Sequence, residues 1–305
     1  MDTSPKAKKT NKLSRKRRFL IRGALLVAIL AGAYYLFTTF WFSGRRDAYE
    51  AVDIDHLIDC VTRANSSYYE HDTIRYKFGD HIDVSDFPSS GLRVFIDREP
   101  GETGRQWIVL RGTVNLANVL ADLNYVERDE HELGIRVHSG FNSAAQECLP
   151  WVQERIVKDR PICITGHSLG GSVAILLAAI LDHRGYEDVS VVTFGQPKIT
   201  DFHGAESLKT LNVLRVVFEQ DPVPLMPPVV VADQHIDTYH HFGPEIILLE
   251  NGHFYYLDEH DHDRLNVMDF WSELSRIHPK THLLGNSYIP SLKKARERFG
   301  RVRKR

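Results

Sequence analysis

The stretch "ICITGHSLGGSVAILLAAIL", residues 162–181, holds one serine, Ser168, between a short apolar run and a long one. Around it stands Gly166-His167-Ser168-Leu169-Gly170, a G-x-S-x-G pattern. Glycines two residues either side of a serine let a chain turn sharply from strand into helix, with the serine exposed at the apex. The flanks fit that reading: "PICIT" is short and apolar like a strand, and "GSVAILLAAIL" is long and apolar like a buried helix. At such an apex the hydroxyl sits at a helix amino terminus, where backbone N–H groups and the helix dipole favour developing negative charge. Two other readings share these letters, a glycine-rich packing turn and a phosphate cradle. The stretch lacks the Gly-Lys-Ser/Thr ending that a P-loop requires. Whether Ser168 is a nucleophile then depends on a base, an acid and an anion-stabilising site elsewhere in the chain.

The chain has 305 residues, 43% of them hydrophobic and 10% aromatic, enough for one large domain with a substantial core. Strand candidates lie at 93–97, 106–112, 162–165, 189–195 and 212–218, and helical stretches at 56–69, 141–157, 171–183 and 263–277. Their alternation predicts an α/β fold built on a mostly parallel sheet flanked by helices. "EIILLENGHFYYL", residues 245–257, reads as a hairpin turning at Asn251-Gly252.

Charge is strongly segregated. Residues 1–46 hold 11 Lys/Arg against one acid, residues 291–305 hold 8 against one, and the remainder holds 19 against 38. An acidic central region lacks the clustered cations that phosphate contacts need, so nucleic acid is not an expected partner. The basic amino-terminal segment, 1–18, leads into an apolar stretch at 19–42, within which Gly23 to Phe42 carries no charge. That is about the 20 residues a membrane helix needs. Nine Lys/Arg precede it and only Arg45 and Arg46 follow closely, so the positive-inside rule puts the amino terminus in the cytoplasm and the main domain, 47–290, across the membrane. A signal peptide cut after Ala33 is the alternative. The closing segment, 291–305, reads as a basic solvated tail or as a contact for acidic headgroups. Cys60, Cys148 and Cys163 form no disulfide framework, with one bridge between two of them open in an oxidising compartment, and none has metal-ligand spacing; no metal or organic cofactor is expected.

Several segments together resemble the class 3, fungal-type lipases, a branch of the α/β-hydrolase fold. "GHSLGGSVAILLA" is similar to their nucleophile segment. "IVLRGTVNLANVLADL" (108–123) resembles their strand ending in Arg-Gly-Ser/Thr followed by a lid, and "VHSGFNSA" (137–144) their Val-His-x-Gly-Phe box. "EQDPVPLMPP" (219–228) resembles the Asp-x-Val-Pro-x-x-Pro-Pro box, and "YHHFGPEI" (239–246) the segment after it. The resemblance implies Ser168 as nucleophile, with Thr113 and the Leu169 N–H as oxyanion-hole donors. The acid should follow the serine and precede the histidine in chain order. Asp221, directly after the 212–218 strand, is favoured over Asp201, which lies deeper in a loop. The family's base lies near the chain end after an amphipathic helix, as His-x-x-x-Tyr or a variant. "THLLGNSYIPSL" fits it at His282, with a longer gap to Tyr288, and His278 is the alternative. His240 and His241 fall in a region usually structural in that family, and His260 and His262 in a charged turn. Val114 to Leu123 reads as an amphipathic lid or as an ordinary surface helix. The function so implied is cleavage of lipid esters by a membrane-anchored serine hydrolase, the bilayer held through 19–42. An esterase for small or carbohydrate-linked esters and a non-catalytic tethered binding protein are the alternatives.

Overall fold

The computed structural model describes residues 52–79, 81–112, 126–227, 230–232, 235–237, 239–257 and 279–300. Gly23–Phe42, Thr113, the 114–123 segment, His260, His262, the 263–277 helix and His278 lie outside them. Among the described residues no helix is long and apolar enough to cross a membrane.

The frame is an eight-stranded sheet. Its centre is parallel: β3 (Gln106–Arg111), β6 (Ile162–His167), β7 (Val189–Phe194), β8 (Asn212–Phe218) and β11 (Glu245–Leu248). One edge continues antiparallel through β2 (Leu92–Arg98) and β1 (Asp83–Phe87), and the other ends in β12 (Phe254–Leu257). The central strands read as unbroken apolar runs because helices cover both faces. The predicted hairpin forms, with Gly252 at a φ of 80° in its turn. Its first strand also extends the parallel sheet by pairing with β8. A separate two-stranded ribbon joins β4 (Glu127–Glu130) to β5 (Ile135–His138), and another joins β9 (Val230–Ala232) to β10 (His235–Asp237). None of these four was legible beforehand, since they are short and, in β4, wholly charged.

Side chains alternate between the two faces of a strand. Ile162 and Ile164 of β6 join a core with α3 (Ser139–Gln153) and α4 (Leu169–His183). Helix α4 is buried continuously from Gly170 to Leu181, which explains why its sequence is apolar all round rather than on one stripe. Cys163, between those isoleucines, faces the opposite layer, where α1 (Ile54–Ser66) packs on β3, β6 and β7. Asp53 caps α1 by accepting from the His56 N–H at 3.0 Å, and Leu57, Cys60, Val61 and Ala64 form its buried stripe. Each Leu or Val so buried contributes about 1.5–3 kcal/mol. Two short helices, α2 (His71–Phe78) and α5 (Phe202–Leu208), complete the connections.

The basic segment expected to be a solvated tail from Ser291 is instead helical to Gly300, as α6 (Tyr288–Gly300), which docks on α1. Tyr288, Ser291, Leu292 and Ala295 are buried at a helical spacing of three and four. The abundance of charge hid this stripe: Lys293, Lys294, Glu297 and Arg298 interrupt it in the sequence but lie off the buried face. Arg296 pairs with Asp55 of α1 at 2.8 Å, a largely exposed contact of little energetic weight.

His138 ends β5 and caps α3, its Nδ1 accepting from the Phe141 N–H at 3.4 Å. Its ring stacks on Phe141 at 4.1 Å, and its buried Nε2 has no hydrogen-bond partner among the described residues. Burial lowers its pKa to about 4. A histidine depressed in this way stabilises the fold fully above its unfolded pKa near 6.5 and loses that contribution as pH falls through 4. His138→Asn keeps a capping acceptor and cannot titrate. It is expected to flatten the decline in unfolding free energy between pH 6.5 and 4 by on the order of 3 kcal/mol, as measured by urea denaturation across that range.

Candidate active site

At the carboxyl end of β6 the chain turns through Ser168, whose φ of 58° and ψ of −133° are strained for a residue with a side chain. Such strain persists only where the surroundings over-determine it. Here the Ser168 N–H donates to the Phe194 carbonyl at 2.9 Å, and the Ser168 carbonyl accepts from Gly171 N–H at 2.9 Å. The flanking glycines are required by close approach: a Cβ on Gly166 would sit 2.4 Å from the Gly170 carbonyl oxygen, and one on Gly170 would sit 2.4 Å from that of Leu110. Leu169 opens α4, so its N–H has no acceptor within the helix. The backbone at Gly112 passes so near that a Cβ there would lie 2.9 Å from Ser168 Cβ, which brings the chain to the serine just before Thr113.

Asp221 follows β8 at the same end of the sheet and is 5% exposed. Its Oδ1 accepts from the Val223 N–H at 3.0 Å, holding the carboxylate in the turn before a short 3₁₀ helix, Val223–Leu225. Its Oδ2 accepts from His282 Nδ1 at 2.8 Å and also from the Tyr288 hydroxyl. With Nδ1 donating to a carboxylate, the free lone pair of His282 is on Nε2. That Nε2 is buried and has no hydrogen-bond partner among the described residues, so it is available to accept a proton.

The loop carrying His282 is tied down from two sides. Thr281 Oγ1 donates to the Gln220 carbonyl at 2.9 Å, linking it to the Asp221 turn. His167, immediately before the serine, donates from Nε2 to the His282 carbonyl at 2.7 Å, while its Nδ1 accepts from the Tyr68 hydroxyl at 2.7 Å. Burial, and then the proximity of His282, hold the His167 pKa well below the usual range, so it serves as a neutral strut. The His167 and His282 rings are 4.4 Å apart. Gly195, next to the Phe194 that anchors Ser168, has a φ of 57°. A Cβ there would lie 2.7 Å from Asp221 Oδ2, 2.7 Å from the Tyr288 hydroxyl and 3.1 Å from His282 Cε1. Ser168, Asp221 and His282 therefore converge at one end of the sheet from three distant parts of the chain.

Other candidates fall elsewhere. Asp201 caps α5 by accepting from the Gly204 N–H at 2.8 Å. His241 donates from Nε2 to the Pro224 carbonyl at 2.6 Å, and the His240 N–H donates to the Thr200 carbonyl. Three contributors had no role assigned from sequence: Tyr68, His167 and Gly195. Tyr68 lies 99 positions before His167, and no local pattern marks it. His167 stands inside the G-x-S-x-G pattern, at a position which that pattern leaves open. Tyr288 was visible as the tyrosine after the histidine, though not as a donor to the acid.

Residues 107–231 match the family model described as Lipase (class 3). The chain is 29% identical over 147 residues to secreted mono- and diacylglycerol lipase 1 of Fusarium solani, covering 45% of this chain and 42% of that protein. It is 32% identical over 146 residues to a lipase of Rhizomucor miehei, covering 42% and 39%. The chain thus spans about two-fifths of the length of these curated relatives. Among solved structures it superposes on a triacylglycerol lipase, described as having a serine protease triad at its catalytic centre, with a TM-score of 0.64 and 22% identity, over 78% of this chain and 96% of that one. The fold is that of these lipases, an α/β-hydrolase-like arrangement around a mostly parallel sheet.

Proposed function

We propose that the protein is a serine hydrolase that cleaves carboxylic esters of lipids, with Ser168 as nucleophile, His282 as general base and Asp221 as its orienting acid. The observation that carries this reading is the buried Asp221–His282 pair at 2.8 Å, whose Nε2 has no partner among the described residues and lies beside the strained serine turn. In this scheme His282 Nε2 takes the Ser168 Oγ proton as the oxygen attacks the ester carbonyl carbon. The tetrahedral oxyanion is held by the Leu169 N–H and by Thr113, two donors together contributing several kcal/mol of transition-state stabilisation. His282 returns the proton to the leaving alcohol, and water repeats the sequence to release the acid. Asp221 stays ionised throughout, stabilising the imidazolium, with the Tyr288 hydroxyl sharing its charge.

The lipid nature of the substrate draws support from the match to class 3 lipases and from relatives described as mono- and diacylglycerol lipases. The uncharged stretch Gly23–Phe42 would hold the catalytic domain against a bilayer on the side opposite the amino terminus. The 114–123 segment would act as a lid whose apolar face meets the lipid when it swings aside. Rates on mono-, di- and triacylglycerols and on phospholipids in vesicles, set against short soluble esters, test this with wild type and Ser168→Ala. An acylglycerol in vesicles should be cleaved at least about tenfold faster than a soluble short-chain ester, and only by wild type. Equal rates on soluble esters with no response to vesicles would remove the lipid reading and leave a small-ester hydrolase.

A further inference from the structure

Away from Ser168, at the other end of β6, three metal-binding side chains meet. His56 and Cys60 stand one turn apart on α1 and so share a face, and Cys163 rises toward them from the sheet. Their donor atoms all lie within 4.8 Å of one another, and Cys60 Sγ is 3.6 Å from His56 Nε2. Both thiols are wholly buried, while His56 is half-buried with its ring tilted against Trp107 at 5.7 Å. Cysteine spacing alone conceals this group, because Cys60 and Cys163 are far apart in sequence and the third member is a histidine.

We propose that His56, Cys60 and Cys163 form a zinc site that fastens α1 to the central sheet. Zinc–sulfur bonds of about 2.3 Å and zinc–nitrogen bonds of about 2.0–2.1 Å at tetrahedral angles require a sulfur-to-nitrogen edge of about 3.6 Å. The Cys60–His56 distance already has that value. Binding releases the two thiol protons to solvent, and two thiolates then balance the charge of Zn²⁺. The resulting neutral complex suits a buried setting where an isolated ion would be costly. Three protein ligands leave a fourth position, on the half-exposed His56 side, for water. Ser168 lies five positions after Cys163, roughly 16 Å along the strand at about 3.3 Å per residue, so the metal's role is in joining layers and not in the chemistry at Ser168.

The test uses the full chain, purified with a non-thiol reductant, stripped of metal and titrated with zinc against a chromophoric chelator, then with cobalt. One equivalent of zinc should bind, raising Tm, and cobalt should produce a thiolate-to-metal charge-transfer band. Cys60→Ser and Cys163→Ser should each weaken that band, and the double variant should abolish it. His56→Ala should weaken zinc at least about 100-fold, since even residues that merely orient a ligand cost 10–100-fold when lost. If a serine variant does not fold, the wild-type cobalt spectrum and His56→Ala decide the matter. Cobalt bound without a thiolate band would mean adventitious binding by the chain's other histidines and would overturn the proposal. So would a Cys60–Cys163 disulfide whose reduction yields no zinc uptake.

Discussion

Ser168→Ala is expected to lower kcat for ester hydrolysis by about a millionfold while leaving the unfolding free energy within about 1 kcal/mol of wild type. The size of the effect follows from the loss of the covalent route. Without the hydroxyl, His282 Nε2 has no proton to take at the attack position, and only the oxyanion donors and substrate binding remain to accelerate attack by water. The fold is unaffected because Ser168 is held by its backbone, through Phe194 and Gly171, and its side chain makes no helix cap. Stopped-assay rates over several days' incubation, combined with thermal melts, measure both quantities. A residual rate within tenfold of wild type would mean that another group is the nucleophile.

The second large effect concerns the pair behind the serine. His282→Ala is expected to cost about as much as Ser168→Ala, and the double variant no more than either alone, because the two act as one unit. Asp221→Asn should cost about 10⁴-fold. The asparagine would keep the shape of the turn and the contact from the Val223 N–H, but an amide facing His282 Nδ1 no longer enforces the tautomer that leaves Nε2 basic. Kinetics of the three single variants and the double variant form the comparison. Additive losses, or an Asp221→Asn rate close to wild type, would break the assignment of these residues to one mechanism.

Much of the frame is legible in the sequence because its strands and helices are long and apolar. Residues 162–181 read as strand, turn and helix without help, and the strand at 212–218 is found at its full length. What escapes is short, polar or assembled from distant parts. Helix α6 is masked by its own charges, and β4 has no apolar residue to betray it. In the site the same division holds. Ser168 announces itself through local glycines, and Asp221 through its position after a strand. His282 lies 61 positions beyond Asp221 and is singled out among the late histidines only by family resemblance. The strut from Tyr68 through His167 to the His282 carbonyl depends on residues brought together by the sheet, so no window of sequence contains it. The His56, Cys60 and Cys163 cluster is invisible for the same reason.

The central claim is that Ser168 is an activated nucleophile, and covalent labelling tests it most directly. A fluorophosphonate probe added to the folded full chain, followed by peptide mass spectrometry, should place a single adduct on Ser168. The adduct should be absent in heat-unfolded protein and slowed at least about 1,000-fold by His282→Ala, since the serine is weak without its base. No adduct, an adduct on a different residue, or labelling of Ser168 at the same rate in His282→Ala would contradict the account.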